Sequence, residues 1–523
     1  MSDVAQQQER RAGGADDPLD TVRLASLVAT ARTPERAVVS PVDGTVVGEV
    51  PVCTPEDVVA AGTRAVSAQR AWAARPVRER AAVVRRFAAL VLDEQTWLMD
   101  LATAESGKTR RDAFEEVADI ALAARWFAGA APRVLRRRRV AGAFPVATRT
   151  TVHRRPKGLV GVISPWNYPL TLAVSDAIPA LLAGNGIVLK PDSQTPFCAL
   201  ALLDLLRRAG LPADLMQVVT GPGAELGGAI VDTVDALMFT GSTATGRVLA
   251  EQCGRRLISF SGELGGKNAM LVLPGAELER AVEGAVRACF ANTGQLCVSM
   301  ERLYVADAIY DTFVPAFVER VAALRHGTGW DGEVGTLTTA GQLDRVAEHV
   351  REAVAKGATV LTGGVPRPGH GELGYAPTVL TGVTDDMALA REETFGPVVS
   401  VYRVGDTEEA VSRADDSPYG LNASIWGPAA VARRAASRLH VGTVNVNEGY
   451  TAAWASHAAP MGGTRDSGLG RRHGREGLLA WTEPQTVAEQ RLVPAGYLPG
   501  VPPERYARWI TAFARLLHRV PVR

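Results

Sequence analysis

The sequence predicts an α/β protein in which parallel sheets carry helices on their faces. Three observations carry that reading. From residue 158, short β-rich apolar runs alternate with helical stretches, the pattern of a parallel sheet. A second pattern of the same kind starts near residue 258 and runs to about 450. The 523 residues are 46% hydrophobic and 22% charged, which is enough apolar material for several cores.

The same composition excludes other classes. Basic residues number 57 and acidic residues 56, so the chain lacks the basic excess of a nucleic-acid-coating protein. Five cysteines stand at 53, 198, 253, 289 and 297, with no CxxC pair. That spacing fits free thiols in a reducing cytoplasm, not a disulfide framework. The first 20 residues lack the apolar core of a signal peptide and read as a polar arm, and no apolar run approaches the length that crosses a bilayer. A soluble cytoplasmic protein is the expectation.

In chain order, helices start after Thr54-Pro55-Glu56-Asp57 and continue to about residue 129, with Val83, Val84, Phe87, Leu90 and Val91 at helical spacing. Thr148–Val152 alternates like a strand. Leu159–Ser164 reads as a buried strand, Leu172–Leu182 as a helix and Ile187–Lys190 as a second strand. Helix Ala199–Ala209 and strands Gln217–Thr220 and Ala236–Thr240 follow. The second pattern contains strand Ala269–Leu273, helix Glu277–Ala291, and strands Arg302–Val305 and Val398–Tyr402. Ligands of such sheets bind beyond the carboxyl ends of the strands.

Three segments carry candidate chemistry. Cys297, in Asn292-Thr293-Gly294-Gln295-Leu296-Cys297, is a nucleophile or a small buried hydrophobe. Asn167 lies in Ser164-Pro165-Trp166-Asn167-Tyr168-Pro169, where two prolines stiffen the backbone; its amide is an oxyanion donor or a turn cap. Glu263 precedes Leu264-Gly265-Gly266-Lys267-Asn268 and is a general base or an exposed loop acid.

Taken together, PWNYP at 165–169, FTGSTATG at 239–246, ELGGKN at 263–268, GQLC at 294–297 and EETFGPV at 392–398 resemble the aldehyde dehydrogenase superfamily, in its order and spacing, over about residues 40–490. The resemblance implies a Rossmann-type dinucleotide-binding domain at 21–135 and 156–257. It implies a catalytic domain at 258–450 and a small β oligomerisation arm at 136–155 and 478–491. Residues 492–523 form a separate tail.

By that resemblance Cys297 attacks the aldehyde, Asn167 and the Cys297 N–H hold the oxyanion, and Glu263 activates water against the thioester. Ile163, Ser164, Pro165, Trp166, Lys190, Ser193, Gly223, Phe239, Gly241, Ser242, Gly246, Leu264, Glu393 and Phe395 fall at cofactor-binding positions. Gly241 and Gly246 bracket a GxxxxG turn, a setting suited to pyrophosphate. Relatives that prefer NAD often carry glutamate where this chain has Ser193. A small neutral side chain there admits a 2′-phosphate, which Lys190 can pair, so NADP is expected, with NAD as the alternative. Asp192 works against NADP if it turns inward.

Within the superfamily the pattern most resembles the second type of NADP-dependent succinate-semialdehyde dehydrogenase. Better-known enzymes of that activity carry arginines at positions that fall here on Ala291 and Ser175. The remaining candidates for a distal carboxylate are Arg302, Arg465, Lys108 and His457. If the pocket near Trp454, Tyr168 and Phe290 is apolar and uncharged, an aromatic or medium-chain aldehyde is the alternative; a non-catalytic binding protein is a third reading. Arg472 stands where many relatives have a glutamate, which leaves Glu263 as the sole base.

No histidines pair at metal-ligand spacing, and no metal is expected. Arg136–Arg139 reads as a solvated or interface cluster, with a nucleic-acid patch as the alternative that the neutral overall charge disfavours. Tyr506, Trp509, Ile510, Phe513, Leu516 and Leu517 fall on one helical stripe with Arg505, Arg508, Arg515 and Arg519 around it; it reads as docking onto its own subunit or a neighbour in a homodimer or homotetramer, with an anionic membrane surface as the alternative.

Overall fold

The computed structural model describes residues 17–142, 144, 147–367, 369, 371–492 and 496–519. The arm expected at 1–20 lies outside these residues up to position 16, as do His370 and the last four residues of the tail.

Among the described residues, six strands form the first sheet. Their order is Gly468–Leu469, Ser259–Glu263, Ala236–Thr240, Leu159–Ile163, Gly186–Lys190 and Met216–Val218. All pair in parallel except Gly468–Leu469, which closes one edge antiparallel. Leu159–Ile163, Gly186–Lys190 and Ala236–Thr240 are buried throughout, because helices cover both faces. The parallel strands therefore end together at Ile163, Lys190, Thr240 and Glu263.

The second sheet has seven strands, in the order Thr359–Thr362, Thr378–Thr381, Val398–Val404, Met300–Ala306, Asn268–Val272, Asn422–Trp426 and Thr443–Val446. Only the Thr359–Thr362 edge runs antiparallel. A separate antiparallel sheet joins Thr482–Gln490, Thr148–Pro156 and Arg138–Val140. The sequence reading began the second unit near residue 258. The ladder instead places Ser259–Glu263 in the first sheet, so the chain crosses between sheets within Leu264–Lys267.

Local chemistry explains the helix boundaries. Thr54 caps helix Pro55–Ala74 in a reciprocal box with Asp57, and Pro55 takes the first turn, where its missing N–H costs nothing. The single helix expected over Leu172–Leu182 is two, Thr171–Val174 and Ala177–Ala183. Pro179 has no N–H for the Ser175 carbonyl, and the helix parts at Ser175-Asp176.

Gly246 does not close a turn. It sits inside helix Thr243–Arg256, where a Cβ would meet Leu264 Cδ2 at 2.5 Å. The turn is Gly241-Ser242, and Ser242 caps the helix by accepting from Thr245 N.

Helix Pro503–Leu517 occupies the tail. Trp509, Leu516 and Leu517 are exposed on it, and Phe513 stacks near Phe144 with ring centroids 6.4 Å apart.

Candidate active site

Cys297 follows a strained turn. Asn292, Thr293 and Gly294 take φ of 50°, 59° and 71° in succession. Non-glycine residues rarely adopt that region, so neighbours must hold them there. The Asn292 N–H donates to Asp112 Oδ1 at 3.0 Å, and its side-chain amide donates to the Asn167 and Gln295 carbonyls, each at 3.0 Å. Thr293 Oγ1 accepts from Gly335 N at 3.1 Å. Gly294 has no alternative, because a Cβ would lie 2.1 Å from the Gly396 carbonyl.

Asn167 comes to the same turn from the end of Leu159–Ile163. Its Nδ2 donates to the Gln295 carbonyl at 3.0 Å. The amide carries two N–H groups, so one remains for an oxyanion. Behind it Lys108 Nζ donates to the Asn167 carbonyl at 2.8 Å and pairs with Glu116, which accepts from Leu170 N and Thr171 N at 2.9 Å. This buried network fixes the PWNYP loop. The sequence reading offered Lys108 as a substrate cation and missed this role, because no local motif surrounds it.

Glu263 ends its strand with Oε1 buried and without a hydrogen-bond partner. Burial pushes its carboxyl up to about 7, and Arg472 pulls the other way. Gly462 is required nearby: its φ is +155°, and a Cβ would lie 2.8 Å from Glu263 Oε1. The Cys297 thiol is half-buried, and burial pushes it up to about 12, against the pull of Arg472. The resting sulfur is therefore a thiol that needs a proton acceptor. Asn268, missed as a site residue although it ends ELGGKN, donates to the Cys297 and Ser299 carbonyls at 2.7 and 2.8 Å.

The cofactor candidates lie around the carboxyl ends of the first sheet. Lys190 is buried and donates to the Pro191 carbonyl at 2.8 Å. Gly223 opens helix Gly223–Thr233 beside it, with 3.9 Å from an added Cβ to Lys190 Cε. Ser193 Oγ donates to the Gly221 carbonyl, and Asp192 Oδ1 accepts from Gln194 N within its own turn, both at 2.9 Å. Phe239 packs beneath Gly241, where a Cβ would meet its ring at 2.6 Å. Glu393 Oε1 accepts from Gly266 N at 2.8 Å. Phe395, at φ 58°, crosses Trp166 edge-on with centroids 5.5 Å apart. Glu301 holds that turn by accepting from Thr394 N and Phe395 N and pairing with Lys267. Ile163, Ser164 and Pro165 lead from the sheet to Trp166. Two helix N-termini, a lysine and no inward carboxylate at 193 make a donor set that fits a phosphorylated dinucleotide.

Of the candidate substrate cations, Arg302, Arg465 and Lys108 are engaged by protein groups. Arg302 donates to the Lys267 and Ala414 carbonyls at 3.0 Å, and Arg465 to Asp415 Oδ2 at 3.0 Å. His457 lies 3.7 Å from Asp119 Oδ1. Phe290 is not with Trp454 and Tyr168; it stacks on Phe317 in a different core. Arg472 is the missed residue: it is buried and pairs with Asp176 at 3.0 Å. Its sequence signal was an arginine in a segment where relatives carry an acid. Among the described residues no three His, Cys, Asp or Glu side chains gather as a metal site, and no helix is long and apolar enough to cross a membrane.

Two α/β sheets, a cysteine on a strained turn and a buried carboxylate at a strand's end make the arrangement of an α/β enzyme whose candidate nucleophile is a thiol. The chain belongs to the aldehyde dehydrogenase family, whose family model matches residues 28–487. It is 51% identical over 516 residues to a protein of Mycolicibacterium smegmatis named "Putative succinate-semialdehyde dehydrogenase [NADP(+)]", covering 97% of this chain and 100% of that one. An NADP-dependent enzyme of E. coli superposes with a TM-score of 0.85 at 34% identity, over 89% of this chain and 97% of its own. A succinate-semialdehyde dehydrogenase from Burkholderia pseudomallei gives 0.84 at 34%, over 88% and 96%.

Proposed function

We propose that this aldehyde dehydrogenase oxidises succinate semialdehyde to succinate, with NADP as hydride acceptor, through a thiohemiacetal and then a thioester on Cys297. The observation that carries the mechanism is the Asn167 amide tethered to the Gln295 carbonyl, two residues before the sulfur, while Glu263 Oε1 stands buried and unpaired. The names of the similar proteins support the substrate and cofactor.

The Cys297 sulfur attacks the carbonyl carbon, and its proton passes to a base for which Glu263 is poised. The free Asn167 N–H and the Cys297 N–H stabilise the oxyanion, which exists only as the bond forms. Lys190, Ser193, the Gly223 and Ser242 helix starts and Glu393 would hold NADP, which when bound would supply the hydride acceptor. Glu263, once it has released that proton to solvent, deprotonates water, which adds to the thioester; the acid leaves and the sulfur takes back a proton as the thiol.

A second reading is a neutral aliphatic or aromatic aldehyde. It is favoured by the apolar cluster of Tyr168, Leu172, Leu296, Val298 and Tyr450 beside Cys297, and by the missing arginines at Ala291 and Ser175. The exposed strand Thr482–Gln490 of the three-stranded sheet is a candidate edge for a homodimer or homotetramer, and five free cysteines support a reducing cytoplasm. The test is formation of reduced cofactor with succinate semialdehyde, butanal and benzaldehyde, each with NADP and with NAD. Highest kcat/KM for succinate semialdehyde with NADP is expected; highest values for butanal or benzaldehyde replace the first reading with the second.

A further inference from the structure

We infer that Asp119, His457 and His473 form a carboxylate-receiving subsite beyond the apolar cluster that Cys297 and Trp454 border, where the substrate's distal carboxylate and the Asp119 carboxyl share one proton. This rests on the semialdehyde reading above and names the residues that read its second end.

The route starts at the nucleophile. Trp454 and Cys297 border one apolar cluster with Tyr168, Leu172 and Leu296. From that neck Trp454 Nε1 donates to Asp119 Oδ1 at 2.9 Å, and His457 Nε2 lies 3.7 Å from the same oxygen. The His457 and His473 rings meet edge-on at 5.0 Å, and Trp454 meets His473 at 5.8 Å. Three elements converge here: helix Arg110–Val134, the segment around Trp454 and the segment after Arg472.

The polar atoms of this cluster lack protein partners. Asp119 Oδ2, both ring nitrogens of His457, both of His473 and the Tyr168 hydroxyl are buried without a hydrogen bond. Exposures of 8%, 6%, 1% and 5% leave them little bulk solvent. Such groups are costly unless a polar ligand meets them. Arg302, Arg465 and Lys108 are spent on protein groups, and Arg472 is paired with Asp176. The distal end is thus read by hydrogen-bond donors, not by a free cation.

The charges around Asp119 set the proton count. Burial raises its carboxyl to about 7; Glu116 adds to the rise, while Arg472, the Trp454 N–H and the Thr171 hydroxyl oppose it. Glu116 is itself paired with Lys108, and Asp176 with Arg472. Burial keeps both imidazoles neutral, His473 down to about 3. Each neutral ring offers one N–H. Two carboxylates side by side cannot both stay ionised, so the arriving one takes up a proton from solvent and holds it with Asp119.

The test compares KM for succinate semialdehyde and for butanal from about pH 6 to about pH 9, with succinate against butyrate as inhibitors of butanal oxidation by the unmodified enzyme. Above the pKa of the shared proton, KM for succinate semialdehyde and Ki for succinate should climb toward about tenfold per pH unit, with no such climb for butanal or butyrate. Asp119→Asn should flatten the climb. His457→Phe should raise KM for succinate semialdehyde about tenfold or more while butanal turnover, the folding control, persists. Equal pH dependence for the charged and neutral aldehydes overturns the subsite while leaving the semialdehyde reading intact. Oxidation of butanal with no oxidation of succinate semialdehyde at any pH overturns that reading and the subsite with it.

Discussion

Arg472 Nη2 stands 3.0 Å from Asp176 Oδ2, an ion pair whose side chains are 3% and 4% exposed and whose cation acts on both Glu263 and Cys297. The same nitrogen donates to Thr240 Oγ1 at 3.0 Å, where a strand of the first sheet ends. One arginine thus ties the carboxyl end of an interior strand to the broken helix around Ser175-Asp176 and biases the ionisations of Glu263 and Cys297.

Removing one member leaves the other charged and buried. Arg472→Gln should destabilise the fold by about 3–5 kcal/mol, and Arg472→Leu with Asp176→Leu should recover much of it. The single variant should also slow alkylation of Cys297 at a fixed pH, because the thiolate loses its nearest cation. Thermal unfolding and iodoacetamide kinetics check the two halves separately.

Glu263 acts as a base only when ionised. With its carboxyl near 7, the steady-state rate should rise through neutral pH and level off above. Glu263→Gln should lower turnover by about 10²–10⁴-fold and remove that limb. If a burst of reduced cofactor survives in the variant, the glutamate serves thioester hydrolysis; without a burst, its role lies at thiol activation.

Asn167→Ala removes one oxyanion donor. A loss of about 10²–10³ in kcat is expected, with NADP affinity unchanged, as measured by cofactor titration beside steady-state rates. Because Asn167 also tethers the Gln295 carbonyl, Asn167→Asp is the stricter test: its carboxylate repels both that carbonyl and the oxyanion, and should cost more.

Position 193 faces a mixed electrostatic setting. Lys190 is buried beside the Gly223 helix start, and Asp192 is occupied by its own turn. Ser193→Glu should shift the ratio of kcat/KM values from NADP toward NAD by at least about tenfold, equivalent to roughly 1.4 kcal/mol. An unchanged ratio would mean that residue 193 does not face the 2′-position.

The parallel sheets were legible because their strands are apolar on both faces and bounded by turn residues, as in Leu159–Ile163 and Ala236–Thr240. Cys297, Glu263 and Asn167 stand out in the sequence as candidates because each lies in a short glycine- or proline-marked segment. Residues that act across long sequence separations left no local trace. Asp119 sits in an alanine-rich helix and Lys108 in the short connection before it, and only folding brings them to Trp454 and Asn167. Phe290 misled because helical spacing alone does not say which face of its helix meets the pocket. The break at Ser175-Asp176 required weighing Pro179 against a strong apolar run.

Buried acids make the stability of the cofactor-free enzyme depend on pH in a definable window. Burial raises Glu105 and Glu393 to about 8, and Asp119 and Glu263 to about 7. An unfolded chain releases these protons near pH 4.5, so above that value the folded state binds more of them. Stability from these groups falls as pH rises toward the folded values. His473, held near 3, works in the opposite sense, since the unfolded histidine is charged up to about 6.5 and the folded one is not. Below about pH 6.5 the two effects oppose each other; between about pH 6.5 and pH 8 the acids act alone. The melting temperature should therefore fall across that interval. Glu105 provides the control, since it is fully buried and accepts from Phe197 N and Cys198 N at 2.7 and 2.8 Å, away from the chemistry. Glu105→Gln should reduce the fall without changing its sign, because Glu393, Asp119 and Glu263 still titrate. A melting temperature that rises over this interval in both proteins would show that those carboxyls are already ionised when folded.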